Sequence, residues 1–156
     1  MKLLNLFVTG ILMITIVACG GDKPTEKKSS PAKSMVKKEA TKKVDPMNSL
    51  GVGPITSPLT LGALDNDLAM KGKKLYEAKC TACHKPDKKY IGPAPKGILE
   101  RRNPAWVMNM ILDPERMIKE DPTAKKLLME FNGTPMANQS LTKEEARSIL
   151  EYFRTL

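Results

Sequence analysis

Histidine, cysteine and aromatic residues are all scarce in this chain of 156 residues: one His, three Cys, three Phe, three Tyr and one Trp. Each scarcity removes a possibility. So few rings make a small core, which an apolar group bound inside the domain would help to fill. No basic run is interleaved with stacking aromatics, as a nucleic-acid groove requires, so nucleic acid is not an expected partner. A structural zinc site wants four ligands, commonly two separated Cys or His pairs, and His84 stands alone. Segments rich in β-branched residues are missing too, and the expectation is an all-α chain. At roughly 100 to 200 residues per domain, the length suits one globular domain and accessory segments.

Charge is abundant and basic, at a formal +9. Residues 20–50 carry eight Lys against four acids, and residues 51–156 carry 17 Lys and Arg against 13 acids. A balance of this kind favours an acidic protein surface or an anionic membrane as partner.

Residues 1–18 have the grammar of an export signal: Lys2, then an apolar run from Leu3 to Val17. That run falls short of the roughly 20 apolar residues that span a bilayer. Ile16-Val17-Ala18-Cys19-Gly20 resembles a bacterial lipobox, with Ile16 where Leu is commonest. The resemblance implies that Cys19 receives a diacylglyceryl group; a plain signal peptide or an uncleaved anchor are the alternatives. The expected location is the cell envelope, with a lipid anchor on Cys19 and the domain in the periplasm or otherwise outside the cytoplasmic membrane. From Cys19 to Thr60 the chain is Lys, Ser, Thr, Pro and Gly with single apolar residues and no lasting period. Such a composition predicts a disordered linker over 19–60, about 40 residues with a reach of roughly 35 Å, ahead of a folded domain over 61–156.

Cys80-Thr81-Ala82-Cys83-His84 has the C-x-x-C-H spacing of c-type haem attachment. Two thiols one helical turn apart can each add to a haem vinyl group, and the adjacent imidazole can then reach the iron. A thioredoxin-like pair would follow a strand and open a helix, whereas this pair closes a predicted helix. With Cys19 committed to lipid and two thiols to haem, no cysteine is left for a disulfide within the mature chain.

Over Leu64–Leu156 the sequence resembles a small class I cytochrome c. The resemblance rests on Gly72-Lys73-Lys74-Leu75-Tyr76, the haem motif, Ile91-Gly92-Pro93, Gly133-Thr134-Pro135-Met136 and a final amphipathic helix, in the family's order. It implies about five short helices around one covalent haem c, with the first and last crossing beside it. It also implies His84 and a Met as axial ligands, the Pro93 carbonyl accepting the second imidazole N–H of His84, and a haem propionate bonded by Trp106. For Pro93 the alternative is a simple turn, and for Trp106 plain core packing.

Local signals agree with a helical domain. Leu68, Gly72, Leu75, Tyr76 and Lys79 share one helical face, where Gly72 lets another helix come close. Asn103-Pro104, Asp113-Pro114 and Asp121-Pro122 each place a capping side chain before a Pro at the first helical position, and so predict three short helices. Trp106, Val107, Met110 and Ile111 share a face of the first of these, and Leu127, Leu128 and Phe131 a face of the last. Thr142 with Glu145 is a capping box, followed by the stripe Ala146, Ile149, Leu150, Phe153.

A sole histidine excludes bis-histidine ligation from this chain, leaving a Met, a Lys or an open position. Met108, Met110, Met117 and Met129 fall in helical patterns, where Met usually fills gaps. Met136 follows Gly133-Thr134-Pro135 in a loop, the setting in which the family places its ligand. A His/Met pair favours reduced iron and raises the reduction potential.

These readings describe an electron carrier and not an enzyme: one electron passes between a membrane donor complex and a terminal reductase or oxidase. A peroxidase or gas sensor needs an open iron position, and peroxidase chemistry also wants an acid–base histidine, of which none remains. The stretch Asn103–Asn138 is similar to small lipoprotein cytochromes associated with nitrous-oxide reduction, which makes such a reductase a candidate acceptor, served by a shuttle or by a dedicated subunit. A monomer is expected. Lys79, Lys85, Lys88, Lys89 and Lys96 form either a steering rim around the haem edge or an ordinary solvated face.

Overall fold

A computed structural model describes residues 45–156. The expected export signal 1–18, the lipid site Cys19 and linker residues 20–44 lie outside the described residues. Five α-helices follow one another: α1 (Asn66–Lys79), α2 (Pro104–Leu112), α3 (Pro114–Glu120), α4 (Pro122–Glu130) and α5 (Lys143–Phe153), with a single 3-10 turn at Ile98–Glu100 before α2. Among the described residues there is no strand, and no helix is long and apolar enough to cross a membrane.

The helix starts are local chemistry. Asn103, Asp113 and Asp121 accept hydrogen bonds from the backbone N–H groups of Ala105 (2.9 Å), Arg116 (3.2 Å) and Ala124 (2.8 Å), each ahead of a Pro that has no N–H to orphan. A cap of this kind stabilises by about 1 kcal/mol. Asp113 and Asp121 each end one helix and begin the next, so α2, α3 and α4 turn sharply with no linker between them. At α5, Thr142 and Glu145 exchange both bonds of the capping box, at 2.9 and 3.1 Å.

The first and last helices cross where glycine allows it. A Cβ built on Gly72 would stand 1.8 Å from the Ser148 carbonyl oxygen, so α1 and α5 touch backbone to backbone. Ala146, Ile149 and Leu150 of the α5 stripe are fully buried there. Tyr76 packs at the same crossing against Tyr152 (5.4 Å between centroids) and edge-on against Phe153 (5.8 Å), so three of the few rings are concentrated at one contact.

Glu151 of α5 is also wholly buried. It accepts the Asp65 N–H at 2.9 Å, and its carboxylate pairs with Arg154 at 2.6 Å and with Arg147. Burial by itself opposes the charge; the Asp65 amide, Arg147 and Arg154 outweigh it and hold the carboxyl below its usual range. This knot fastens the start of α1 to the end of the chain.

The expectation of a loose linker up to Thr60 is corrected for its last part. Val52, Ile55, Leu59 and Leu61 lie against the core in an irregular strap with no helix or strand of its own. Asn109 of α2, fully buried, holds that strap with three bonds: its amide donates to Leu50 O (2.8 Å) and Ile55 O (2.9 Å) and its oxygen accepts Ile55 N–H (2.9 Å). Asn103 adds a bond to Met47 O at 2.9 Å. Gly51 and Gly53, both at positive φ, pass so close to Met117 and Asn109 that a Cβ on either would clash. The domain therefore extends to the N-terminal side of residue 61.

Candidate functional site

The C-x-x-C-H residues occupy a single turn that caps α1. Cys80 N–H closes on Tyr76 O, and Cys80 O then accepts N–H bonds from Cys83 (3.1 Å) and His84 (2.8 Å), so both thiols and the imidazole spring from one knuckle of chain. The Tyr76 hydroxyl donates to His84 O at 3.0 Å and ties that knuckle to the helix crossing. The chain loops out through Lys88 and Lys89 and returns, with Gly92 N–H donating to Cys83 O at 2.8 Å.

The return brings Pro93 to His84. The Pro93 carbonyl lies 2.8 Å from Nδ1 of the imidazole. A carbonyl can only accept, so Nδ1 carries the proton and Nε2 keeps its lone pair for a metal. Gly92 lies flat against the ring; a Cβ there would stand 2.4 Å from His84 Cε1.

Opposite this turn the helix faces read from the sequence form a wall. Trp106, Val107, Met110 and Ile111 of α2 line a cleft of about 270 Å³, together with Leu127 and Leu128 of α4 and Phe131 at its end. Cys80, Cys83, His84, Pro93 and Met136 line the same cleft. Space of this size would hold on the order of ten waters, and apolar walls give water few partners. A flat apolar group suits it better. Among the described residues no set of three or more His, Cys, Asp or Glu converges as a metal site.

Met136 arrives by a specific turn. α4 ends at Phe131, after which Asn132 and Gly133 both take positive φ (58° and 71°) and Gly133 N–H closes on Leu128 O at 2.8 Å. Nothing surrounds Gly133 within 4 Å of a built Cβ, so this glycine serves the backbone conformation and no close contact. The other methionines separate cleanly. Met108 and Met117 are core residues, Met129 is 75% exposed, and only Met110, in the middle of α2, shares the cleft with Met136.

Trp106 departs from what the resemblance implies. Its ring lines the cleft, but its indole N–H donates to Asp121 Oδ1 at 3.1 Å inside the core, and so is already spent. The sequence reading missed Arg101 and Arg102, which also line the cleft. Arg102 lies over the Trp106 ring at 5.4 Å, and its buried Nε has no hydrogen-bond partner among the described residues. An unpartnered guanidinium donor at the rim of an apolar slot complements a cofactor that is apolar in its body and carries carboxylates at its edge, and haem is such a group. The only signal was the double Arg just before the Asn103-Pro104 cap.

Of the five lysines near the motif, Lys79 lines the cleft. Lys85 bonds Thr81 O at 2.9 Å and lies over Tyr90, while Lys89 lies over Phe131 at 4.5 Å. Burial pushes the Cys80 thiol up to about 11, eased by Lys79 and reinforced by Cys83, so before any attachment it is a protonated thiol and not a reactive thiolate.

An all-helical domain that closes an apolar slot over a Cys-x-x-Cys-His turn, with a methionine loop lining the same slot, is a c-type haem protein. The chain belongs to the cytochrome c family, whose model, Cytochrome c, matches residues 69–156. Among solved structures it is similar to the cytochrome c of Rhodothermus marinus, at 42% identity and a TM-score of 0.63 over 66% of this chain and 88% of that one. An engineered form of that protein matches at 41% identity and a TM-score of 0.62, covering 66% of this chain and 89% of that one. The engineered form bound to a carbene intermediate matches at 39% and 0.60, covering 66% and 88%. No curated protein matches the chain. The protein is thus a mono-haem class I cytochrome c with covalently bound haem c, an electron-transfer protein that works with redox partner proteins.

Proposed function

We propose that this cytochrome is a membrane-tethered one-electron carrier with His84 and Met136 as the axial ligands of its iron, acting outside the cytoplasm. The observation that carries the proposal is the convergence of Cys80, Cys83, His84 and Met136 on one apolar cleft, with His84 oriented by the Pro93 carbonyl at 2.8 Å.

When bound, haem c supplies a reversible ferric–ferrous couple. Cys80 and Cys83 hold it through two thioether bonds. His84 would offer Nε2, because the Pro93 carbonyl fixes the tautomer and the orientation of the ring. Met136 would offer its thioether as the second ligand, a donor that would favour the reduced metal and bar oxygen and peroxide. The apolar walls from α2 and α4 would keep water from the group, and Arg102 would offer its free Nε donor to a carboxylate, a role for which the Trp106 indole is already spent.

Cys19 carries the lipid, and residues 20–44 tether the domain, which the strap extends to about residue 45. The cytochrome is a monomer in the cell envelope; its donor is a membrane complex and its acceptor a terminal reductase or oxidase, with a periplasmic reductase such as nitrous-oxide reductase as one candidate. The export-signal grammar of residues 1–18 and the +9 charge support this placement.

The test is the visible spectrum and pyridine haemochrome of the purified protein, before and after Met136→Ala. The wild type shows one haem c per chain and a weak ferric thioether-to-iron band at the red end of the spectrum. Met136→Ala keeps the haem, loses the band, lowers the reduction potential and binds imidazole readily. A wild type without the band, or a band that persists in Met136→Ala, overturns the ligand assignment.

A further inference from the structure

Two different loops contribute to the lining of the cleft. One follows His84 and runs through Lys88, Lys89 and Tyr90; the other follows α4 and leads through Gly133 to Met136. Among the described residues a single hydrogen bond joins them: Lys89 Nζ donates to Glu130 O at 3.2 Å, across 41 positions of sequence. The same ammonium lies over the Phe131 ring at 4.5 Å.

Both contacts fall on the last turn of α4, where helix carbonyls are left without partners and the dipole favours a cation. The last turn of α4 holds no basic residue of its own, so Lys89 supplies from another loop the charge that this end lacks. Phe131 is the residue on which the turn into the Met136 loop begins, and its ring also lines the cleft.

We infer that Lys89 is a positioning residue, a clasp that closes the His84 loop onto the root of the Met136 loop and keeps the thioether seated on iron. The inference rests on the reading of Met136 as sixth ligand. Lys89 touches neither iron nor Met136. It acts by limiting how far the end of α4 moves away from the His84 side, because outward swing of the loop must first break an ammonium–carbonyl bond and a cation–π contact. The same residue thereby sets how readily an outside ligand enters, since such a ligand binds only when Met136 is displaced.

The experiment is a spectrophotometric imidazole titration of the ferric holoprotein, in the wild type, Lys89→Gln and Lys89→Arg. Lys89 is exposed, so none of these changes disturbs the core. Lys89→Gln is expected to bind imidazole about three- to tenfold more tightly, with a weaker thioether–iron band. Lys89→Arg, which keeps a cation over Phe131 and a donor for Glu130 O, is expected to restore the wild-type affinity. Equal affinity in the wild type and Lys89→Gln, with the band intact in both, overturns the clasp and leaves the Met136 assignment standing. Tighter imidazole binding in Lys89→Gln that Lys89→Arg fails to reverse also overturns it. Absence of the band from the wild type itself removes the ligand assignment and the clasp together.

Discussion

Gly72 and Ser148 meet with no side chain between them, the glycine Cα against a main-chain carbonyl. A Cβ on Gly72 would lie 1.8 Å from Ser148 O and 2.3 Å from Ser148 C, and neither atom can move without bending α5. Gly72→Ala is therefore expected to destabilise the holoprotein by about 3 kcal/mol or more, at the upper end of what overpacking does. A urea titration checks it: the midpoint falls sharply while the slope is kept. An unchanged midpoint means that the helices separate at no cost and that the crossing is not the keystone of the fold.

Tyr76 links that crossing to the haem-binding turn and makes stability depend on alkali. Burial, followed by Cys80 and Tyr152, pushes its hydroxyl up to about 12. The folded state holds this proton more tightly than the unfolded state, whose tyrosines ionise near 10. The contribution is thus complete below about pH 10 and disappears as the pH rises through about 12. Once Cys80 is a thioether and cannot ionise, burial and Tyr152 carry the shift, so less than about 3 kcal/mol is at stake. Tyr76→Phe should lose about 1 kcal/mol at neutral pH with the bond to His84 O, and should then show a flatter stability profile between pH 10 and 12. Denaturant midpoints measured across that range decide it; parallel curves for the two proteins contradict the prediction.

Asn109 is the one side chain that holds both Leu50 and Ile55 of the strap. Asn109→Leu fits an apolar shape but leaves two carbonyls and one N–H of the strap without partners, at a cost of about 2 kcal/mol after the strap frees itself into water. Residues 45–61 contain no Lys or Arg, so trypsin cannot report on them. Thermolysin can, through Leu50, Ile55 and Leu59. The expected result is rapid cleavage in this segment of Asn109→Leu and slow cleavage in the wild type; equal rates mean that the apolar contacts hold the strap without the asparagine.

Features written in short stretches of chain were legible from the sequence. The three Asx-Pro caps, the capping box and the Cys-x-x-Cys-His turn need only near neighbours, and each helix they predict is present. The apolar stripes of α2 and α4 were legible as faces, although a stripe does not say whether it meets another helix or a cofactor, and these line the cleft. The strap was hidden because its order is supplied from a distance: Asn109 bonds residues 54 to 59 positions away, and a search for periodicity finds nothing in an irregular segment. The spent indole of Trp106 was hidden for the same reason, since Asp121 reads in sequence only as a helix cap. Arg102 became visible as a candidate only when its Nε was found buried without a partner.

Asp121 puts one oxygen to two uses, accepting the Trp106 indole at 3.1 Å and the Ala124 amide at 2.8 Å. The wall of the cleft and the first turn of the helix that leads toward Met136 are thereby geared together, so that neither slides without the other. A redox centre is quick to change its charge when its surroundings need little rearrangement between the two states. Such a lock between α2 and α4 restrains one wall of the cleft against the kind of rearrangement that slows electron transfer.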